Sequence, residues 1–131
     1  VRHIGKKTEC AINAGGALRD TAFKLFRGTI DFVKGAAGSI GNEKEEVLLI
    51  DEKTVNQTIP IILCAEEAVV GNHGATIGKP DEELLFYLES RGIPADECYN
   101  MLAAAKLLAV CGRIPCEEFR DEIHDYIKEV Y

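Results

Sequence analysis

The 131-residue sequence has no tryptophan, one methionine, four prolines and three histidines, and aromatic side chains make up only 7% of it. No uncharged apolar run reaches about 18 residues, which excludes a membrane-spanning helix. A charged-then-apolar signal segment is also absent from the start of the chain. Because the sequence begins at Val1 without methionine, we expect it to be an N-terminally trimmed piece of a longer protein.

Basic charge is scarce in the C-terminal part of the chain. Residues 1–80 carry ten acidic and ten basic side chains, whereas residues 81–131 carry twelve acidic and five basic ones, so the whole net charge of −7 lies there. Nucleic acids and anionic membranes both require a basic patch, and we expect neither as a partner. The acidic part suits solubility or a protein partner with a basic surface.

Short C-x-x-C pairs are absent as well. The chain has five cysteines, at Cys10, Cys64, Cys98, Cys111 and Cys116. Their odd number and the missing signal segment indicate reduced thiols in the cytoplasm. The last three cysteines, with His124 beyond them, match no zinc spacing, and helix periodicity explains each position. We expect these three to be structural.

Residues 1–79 show the period of two that is typical of β-strands. Strands are predicted at 9–14, 23–33, 47–50 and 58–65. We expect the first strand to break at Gly15-Gly16, a glycine-rich turn at 35–41 and a charged segment at 43–46. Short strands without intervening helices indicate a sandwich, a barrel or a coiled β-solenoid, and the pattern leaves all three open.

The spacing of apolar residues changes at Pro80 from every second residue to every third or fourth, and the remaining residues predict three helices. They begin near Pro80, Pro94 and Pro115 and end near Gly92, Gly112 and Val130. Gly92 is expected to end the first helix as a left-handed cap. The sequence thus predicts a β domain, 1–79, followed by an α-helical region, 80–131. A solenoid of this size would have an uncapped N-terminal end, so we expect further coils or another subunit to cover it.

Motifs that carry chemistry are few. The segment 35–41 lacks both the Gly-Lys-Ser/Thr ending of a P-loop and the G-x-G-x-x-G spacing, so we expect this chain to bind no ATP. No Ser–His–Asp or Cys–His arrangement can be assembled from sequence order alone. His73 has glycines at positions 71 and 74 and little local cover, and such an imidazole can ligate a metal. Residue type alone favours a turn histidine that makes a structural hydrogen bond.

Several ordered segments carry a family resemblance. They are Phe26-Arg27-Gly28-Thr29-Ile30, His73-Gly74-Ala75-Thr76-Ile77-Gly78, Leu85-Phe86-Tyr87-Leu88 and Ser90-Arg91-Gly92-Ile93. Through them the chain resembles the SufB/SufD family of iron–sulfur cluster assembly proteins over nearly its whole length. The resemblance implies the C-terminal portion of a family member. It also implies a partial right-handed parallel β-helix, followed by a three-helix region.

The same resemblance implies a site. His73 matches the histidine that SufD-like members place at a subunit interface as a ligand of a cluster or of iron. SufB-like members typically have His-Glu-Ala-Thr there and a cysteine upstream, whereas here Gly74 replaces the glutamate and Glu45 lies near the cysteine position. The chain therefore looks SufD-like. Cys64 and Glu45 are further candidate ligands, although we expect Cys64 to be a core residue.

The resemblance also implies partners. These are a SufB-like subunit, or a second copy in a homodimer, and a SufC-like ATPase of the ABC type that binds the helical region. Because iron–sulfur clusters prefer thiolates, one histidine cannot complete a site, and a transient cluster would need ligands from across the interface. The apolar residues 84–88 and the apolar stripe of the third helix are expected to be core, with docking as the alternative.

We therefore predict a non-enzymatic, cytoplasmic scaffold subunit of the SUF iron–sulfur cluster assembly complex. Two other functions stay open. One is an accessory subunit of an ABC transporter, which the missing transmembrane segment disfavours. The other is a small metal-binding enzyme that uses His73, which the missing acid–base constellation disfavours.

Overall fold

A computed structural model describes the whole chain, Val1–Tyr131. The strands are β1 (Arg2–His3), β2 (Glu9–Leu18), β3 (Phe23–Phe32), β4 (Ile40–Leu49), β5 (Val55–Cys64) and β6 (Val70–Gly78), and the helices are α1 (Glu82–Ser90), α2 (Ala95–Cys111) and α3 (Glu117–Val130). Successive strands alternate between two parallel sheets, ordered β1-β3-β5 and β2-β4-β6. The predicted class, β first and then α, is confirmed.

Two compact units make up the chain. The first contains Val1–Asn13, Lys24–Glu45 and Asn56–Ala75, and the second contains Ala14–Phe23, Glu46–Val55 and Thr76–Tyr131. Strand residues alternate between buried and exposed positions in β3 and β4, as expected for strands with one face on a core.

Phe32 is the largest fully buried side chain of the first unit, and Ile30 lies beside it on the same face of β3. A Cβ atom at Gly41 would lie 3.0 Å from Phe32 Cζ, and one at Gly71 would lie 3.2 Å from Phe32 Cε2. These two glycines therefore sit inside strands and make room for the aromatic ring, rather than forming turns.

Two strand boundaries predicted from the sequence are wrong. Strand β2 does not break at Gly15-Gly16 but continues to Leu18. A Cβ atom at Gly15 would lie 2.5 Å from Val110 Cγ2 of α2, so this glycine allows close approach of a helix. Strand β4 includes the charged segment, because Glu43 and Glu45 occupy the inward positions of an alternating strand.

The glycine-rich turn before β4 is confirmed at its first residues. Gly35 and Gly38 have φ angles of 102° and 78°, in the left-handed region that favours glycine. The Gly35 N–H donates to Glu66 Oε2 at 3.0 Å, and this hydrogen bond lowers the pKa of the Glu66 carboxyl. The bond ties the turn to the segment that follows β5.

The helices of the second unit begin and end close to the predicted positions. Asp81 caps α1 by accepting from the Glu83 and Leu84 N–H groups, and Gly92 follows the helix with a φ of 89°, as predicted. Helix α2 packs against both α1 and α3 and buries Cys98 and Cys111. None of the three helices combines the length and the apolar character needed to cross a bilayer.

Candidate functional site

His73 lies in the middle of β6 and is exposed. The expectation of a turn histidine is therefore wrong in its local structure, because the glycines around it belong to a strand. Strand β6 is the last strand in the order of its sheet, and all its residues except Gly78 are exposed. The imidazole is thus available to a ligand or to another protein chain.

The register of β6 on β4 places His73 beside Glu43. The Val70 N–H donates to the Ser39 carbonyl at 3.0 Å, and Asn72 Nδ2 donates to Asn42 Oδ1 at 2.9 Å. Asn72 and Asn42 are 30 residues apart, and parallel strands keep a constant offset, so His73 is the neighbour of Glu43. Adjacent strands of a sheet are about 4.8 Å apart.

Both side chains lie on the inward side of their strands. A Cβ atom at Gly71 would lie 2.9 Å from Ile62 Cγ2, and one at Gly41 would lie 2.7 Å from Ile30 Cγ2, so these glycines mark the inward face. Residues two positions apart share a face. His73 and Glu43 therefore share the inward face of the sheet, with the histidine on its outermost strand.

Glu43 is a buried carboxylate with an unsatisfied oxygen. Its side chain is 4% exposed, and Oε2 has no hydrogen-bond partner. The carboxyl group lies directly over Gly28, since any Cβ atom at that position would collide with it. An unpaired buried carboxylate oxygen costs folding free energy. Carboxylate oxygen is a ligand for iron, as imidazole is.

We expect replacement of Glu43 by methionine to raise the free energy of unfolding by about 1 kcal/mol, because it removes a buried polar atom that has no partner. Urea denaturation measures this change. Glu45→Met is the matched control and should lower stability, because it strips Lys24 of its partner. A loss of stability in Glu43→Met as large as that in Glu45→Met would contradict the interpretation of Glu43 as an unsatisfied group.

Glu45, by contrast, has partners for both oxygens. Lys24 Nζ donates to Oε1 and the Thr58 hydroxyl donates to Oε2, while Glu45 is only 1% exposed. Asn56 completes this cluster by accepting from Lys24 Nζ at 3.2 Å and donating to Thr58 Oγ1 at 3.0 Å. Glu45 would have to give up these bonds to ligate a metal.

Cys64 is exposed at the end of β5, so its prediction as a core cysteine is wrong. Cys98 and Cys111 are buried as expected, whereas Cys116 is exposed at the start of α3. No group of three or more His, Cys, Asp or Glu side chains is placed to hold a metal ion. His73, Cys64 and Glu45 therefore do not form a ready-made metal centre.

Sequence reasoning missed Glu43. The sequence pattern that could have revealed it is the spacing of two between Gly41, Glu43, Glu45 and Val47, all of which are buried on one face of β4. The charged run from Glu43 to Glu46 resembles a solvated loop, because carboxylates are rarely buried in a strand.

The helical region exposes apolar side chains that were expected to be core. No residue of α1 is buried, and Phe86 is 73% exposed. On α3 only Ile127 is buried, while four other members of its apolar stripe are exposed: Phe119, Ile123, Tyr126 and Val130. Acidic side chains flank this stripe at Glu122, Asp125 and Glu129. The core prediction is therefore wrong for most of these residues.

The family model and the similar proteins all point to one family. A family model described as "SUF system FeS cluster assembly, SufBD core domain" matches residues 1–106. The chain is similar to the iron–sulfur cluster assembly protein SufD of Bacillus subtilis, with 31% identity over 96% of this chain and 29% of that protein. It is also similar to SufB of Bacillus subtilis, with 28% identity over 88% of this chain and 25% of that protein.

A SufBD family protein of Mycobacterium tuberculosis is 31% identical over 88% of this chain and 14% of its own length. The chain thus spans less than a third of each of these relatives.

Proposed function

Because the chain belongs to the SufBD core family of the SUF iron–sulfur cluster assembly system, we propose that it is a scaffold subunit of that system and not an enzyme. It would act in the cytoplasm, where its five free thiols stay reduced. The iron–sulfur cluster is its transient cargo. His73 is the ligand that this chain offers to the cluster or to its iron.

The observation that carries this proposal is the strand register, which places an exposed imidazole next to an unsatisfied carboxylate. His73 lies on the last strand of its sheet, and Glu43 is its neighbour on the next strand. These two groups suit iron but are too few for a cluster, which is held mainly by thiolates. A SufB-like subunit, or a second copy of this chain, would supply the remaining ligands against β6.

The strand order supports a partial right-handed parallel β-helix. Each strand is followed by one in the other sheet, and the next strand returns to lie beside the first. Parallel neighbours joined by a crossover are right-handed in nearly all proteins. In such a winding β6 would be the strand that a partner subunit extends by adding its own edge.

The helical region is the proposed contact with a SufC-like ATPase of the ABC type. Its exposed apolar stripe on α3 is flanked by carboxylates, a combination that fits an apolar patch with a basic rim. The ATP would be bound by that partner, since the glycine-rich turn of this chain lacks the P-loop lysine and hydroxyl.

Anaerobic reconstitution tests the scaffold function. The full-length protein, purified with its partner subunit, is incubated with ferrous iron and sulfide, and the cluster is measured by visible absorbance and Mössbauer spectroscopy. We expect His73→Ala to lose most of the cluster. This exposed site should tolerate the change without loss of folding.

His124→Ala is the matched control, because His124 lies on α3 with an accessible side chain. It should assemble as much cluster as the wild-type protein. Full cluster assembly in His73→Ala would refute the proposed role of His73.

A further inference from the structure

The sheet β1-β3-β5 has an apolar outward surface in the first unit. On β3, Ile30 and Phe32 are fully buried, so the odd-numbered residues of this strand point away from the core. Strand β5 alternates in the same way, and its outward residues Ile59, Ile61 and Leu63 are 40%, 38% and 51% exposed. Contiguous exposed apolar side chains of this kind mark interaction sites.

The sequence of β5 indicates that both of its faces are meant to be covered. Residues 59–63 read Ile-Pro-Ile-Ile-Leu, without a polar side chain. In a parallel sheet, a continuous apolar run is typical of a strand buried on both faces, whereas alternation of apolar and polar residues indicates one face in water. The inward face is packed, since Ile62 lies against Gly71. The outward side chains have no such cover.

The register between β3 and β5 fixes which outward residues are neighbours. Lys24 Nζ donates to Asn56 Oδ1, 32 residues further along the chain. The Ala65 N–H donates to the Phe32 carbonyl at 2.9 Å, as the same offset requires in parallel strands. The outward neighbours are Arg27 and Ile59, Thr29 and Ile61, and Asp31 and Leu63, and we call these six residues the outer face.

The two charged residues of the outer face have opposite signs and lie on either side of Thr29. Arg27 is exposed, and its side chain has no hydrogen-bond or ion-pair partner. Asp31 pairs with Arg2 at 3.1 Å, and its side chain is still 27% exposed. A carboxylate can accept several hydrogen bonds, so Asp31 has room for a second guanidinium group. The outer face thus offers one free donor and one acceptor, four residues apart.

We propose that the outer face is the docking surface for a second copy of this chain. The two copies are related by a twofold axis that lies between the two sheets and crosses the strands at Thr29 and Ile61. Such an axis reverses the strand direction and places β3 over β3 and β5 over β5. In a twofold interface the same surface of both copies is used, so it must be complementary to itself.

The outer face meets that requirement. Reversal of β3 about Thr29 brings Arg27 of each copy opposite Asp31 of the other, so the charge pair forms twice. Reversal of β5 about Ile61 brings Ile59 opposite Leu63, also twice. Ile61 meets its own equivalent at the axis. Charge and apolar character therefore match across the interface, and Arg27 gains the partner that it lacks in a single chain.

The size of the outer face makes this a weak dimer. Each of β3 and β5 has ten residues. At about 3.3 Å per residue and about 4.8 Å between strands, their outward surface measures roughly 300 Å². A stable complex buries about 800 Å² per partner, so association should depend strongly on protein concentration. This contact is also separate from the one proposed along β6, which extends a sheet at its edge.

Sedimentation equilibrium of the full chain tests the dimer, with protein concentrations up to about 1 mM, where even a millimolar dissociation constant is measurable. We expect dimers to appear as the concentration rises. Ile61→Lys should be monomeric throughout, because two ammonium groups would meet at the axis. Phe86→Lys is the matched control, since Phe86 is 73% exposed on α1, and it should dimerise like the wild-type protein. Circular dichroism checks that each variant is folded.

A pair of charge reversals tests the twofold arrangement. Arg27→Asp and Asp31→Lys should each weaken the dimer by roughly tenfold, because like charges would face each other twice. An equimolar mixture of the two variants should regain wild-type affinity, because every contact between the two chains again joins opposite charges. Both positions are on the surface, so neither change should prevent folding.

Several results would overturn the proposal. One is a chain that stays monomeric at every concentration. Another is a dimer that persists in folded Ile61→Lys, which would be held elsewhere, for example along β6. A mixture of Arg27→Asp and Asp31→Lys that stays as weak as either variant alone would exclude the twofold axis. His73→Ala should leave dimerisation unchanged, so this test is independent of the proposed scaffold function.

Discussion

Lys24→Met should lower the free energy of unfolding by about 3–5 kcal/mol, because it leaves the Glu45 carboxylate buried without its charged partner. Glu45 is 1% exposed and sits on the inward face of β4, so water cannot replace the lost ammonium group. Lys24 also lies 5.2 Å from the centre of the Phe26 ring, and this contact would be lost too.

Urea denaturation of three variants measures the effect and its cause. The double variant Lys24→Met/Glu45→Leu should recover most of the loss, because an apolar pair of similar volume needs no charge compensation. Lys79→Met is the matched control, since Lys79 pairs with Glu52 on the surface and its loss should cost no more than about 1 kcal/mol. A Lys24→Met cost no larger than that of Lys79→Met would show that Glu45 does not depend on Lys24.

This result also bears on the candidate ligands. A large cost in Lys24→Met would mean that Glu45 is committed to the Lys24 and Thr58 bonds and is a structural group. Glu43, whose Oε2 has no partner, would then remain the candidate ligand on β4.

Phe32→Ala should destabilise the protein by about 3–5 kcal/mol, because the ring is fully buried and its removal leaves a cavity. The cavity cannot be filled easily, since Gly41 and Gly71 beside the ring have no side chains to move into it. The stacked His3 ring would lose its support as well.

Thermal unfolding of Phe32→Ala is compared with two controls. Phe32→Leu keeps most of the volume and should cost less than about 1.5 kcal/mol. Phe119→Ala removes an aromatic ring that is 61% exposed on α3 and should change stability by no more than about 0.5 kcal/mol. Equal losses in Phe32→Ala and Phe119→Ala would contradict the placement of Phe32 at the centre of the first unit.

The predicted and the observed local structure differ most at glycine residues. Gly35, Gly38 and Gly92 have positive φ angles and were correctly assigned to a turn or a helix end. Gly15 was predicted to break the first strand and Gly71 to flank a turn histidine, but both lie within strands. A local sequence cannot distinguish the two uses, because the second depends on a partner far along the chain. That partner is Val110 for Gly15 and Phe32 for Gly71.

The candidate site was predicted only in part. The family resemblance singled out His73, but its place in a strand and its exposure are seen only in the structure. Its neighbour Glu43 follows from the offset of 30 residues between β4 and β6.

By itself the sequence determined the change of period near Pro80, the order of strands before helices and the positions of the helix ends. These are properties of short segments, set by side-chain periodicity and by glycine, proline and aspartate at the boundaries. Only the tertiary structure decided which charges are buried, which apolar side chains stay exposed and which polar atom lacks a partner. Each of these depends on how segments distant in sequence pack together. An unpaired charge costs folding free energy only when it is buried, and burial is a property of the packed core.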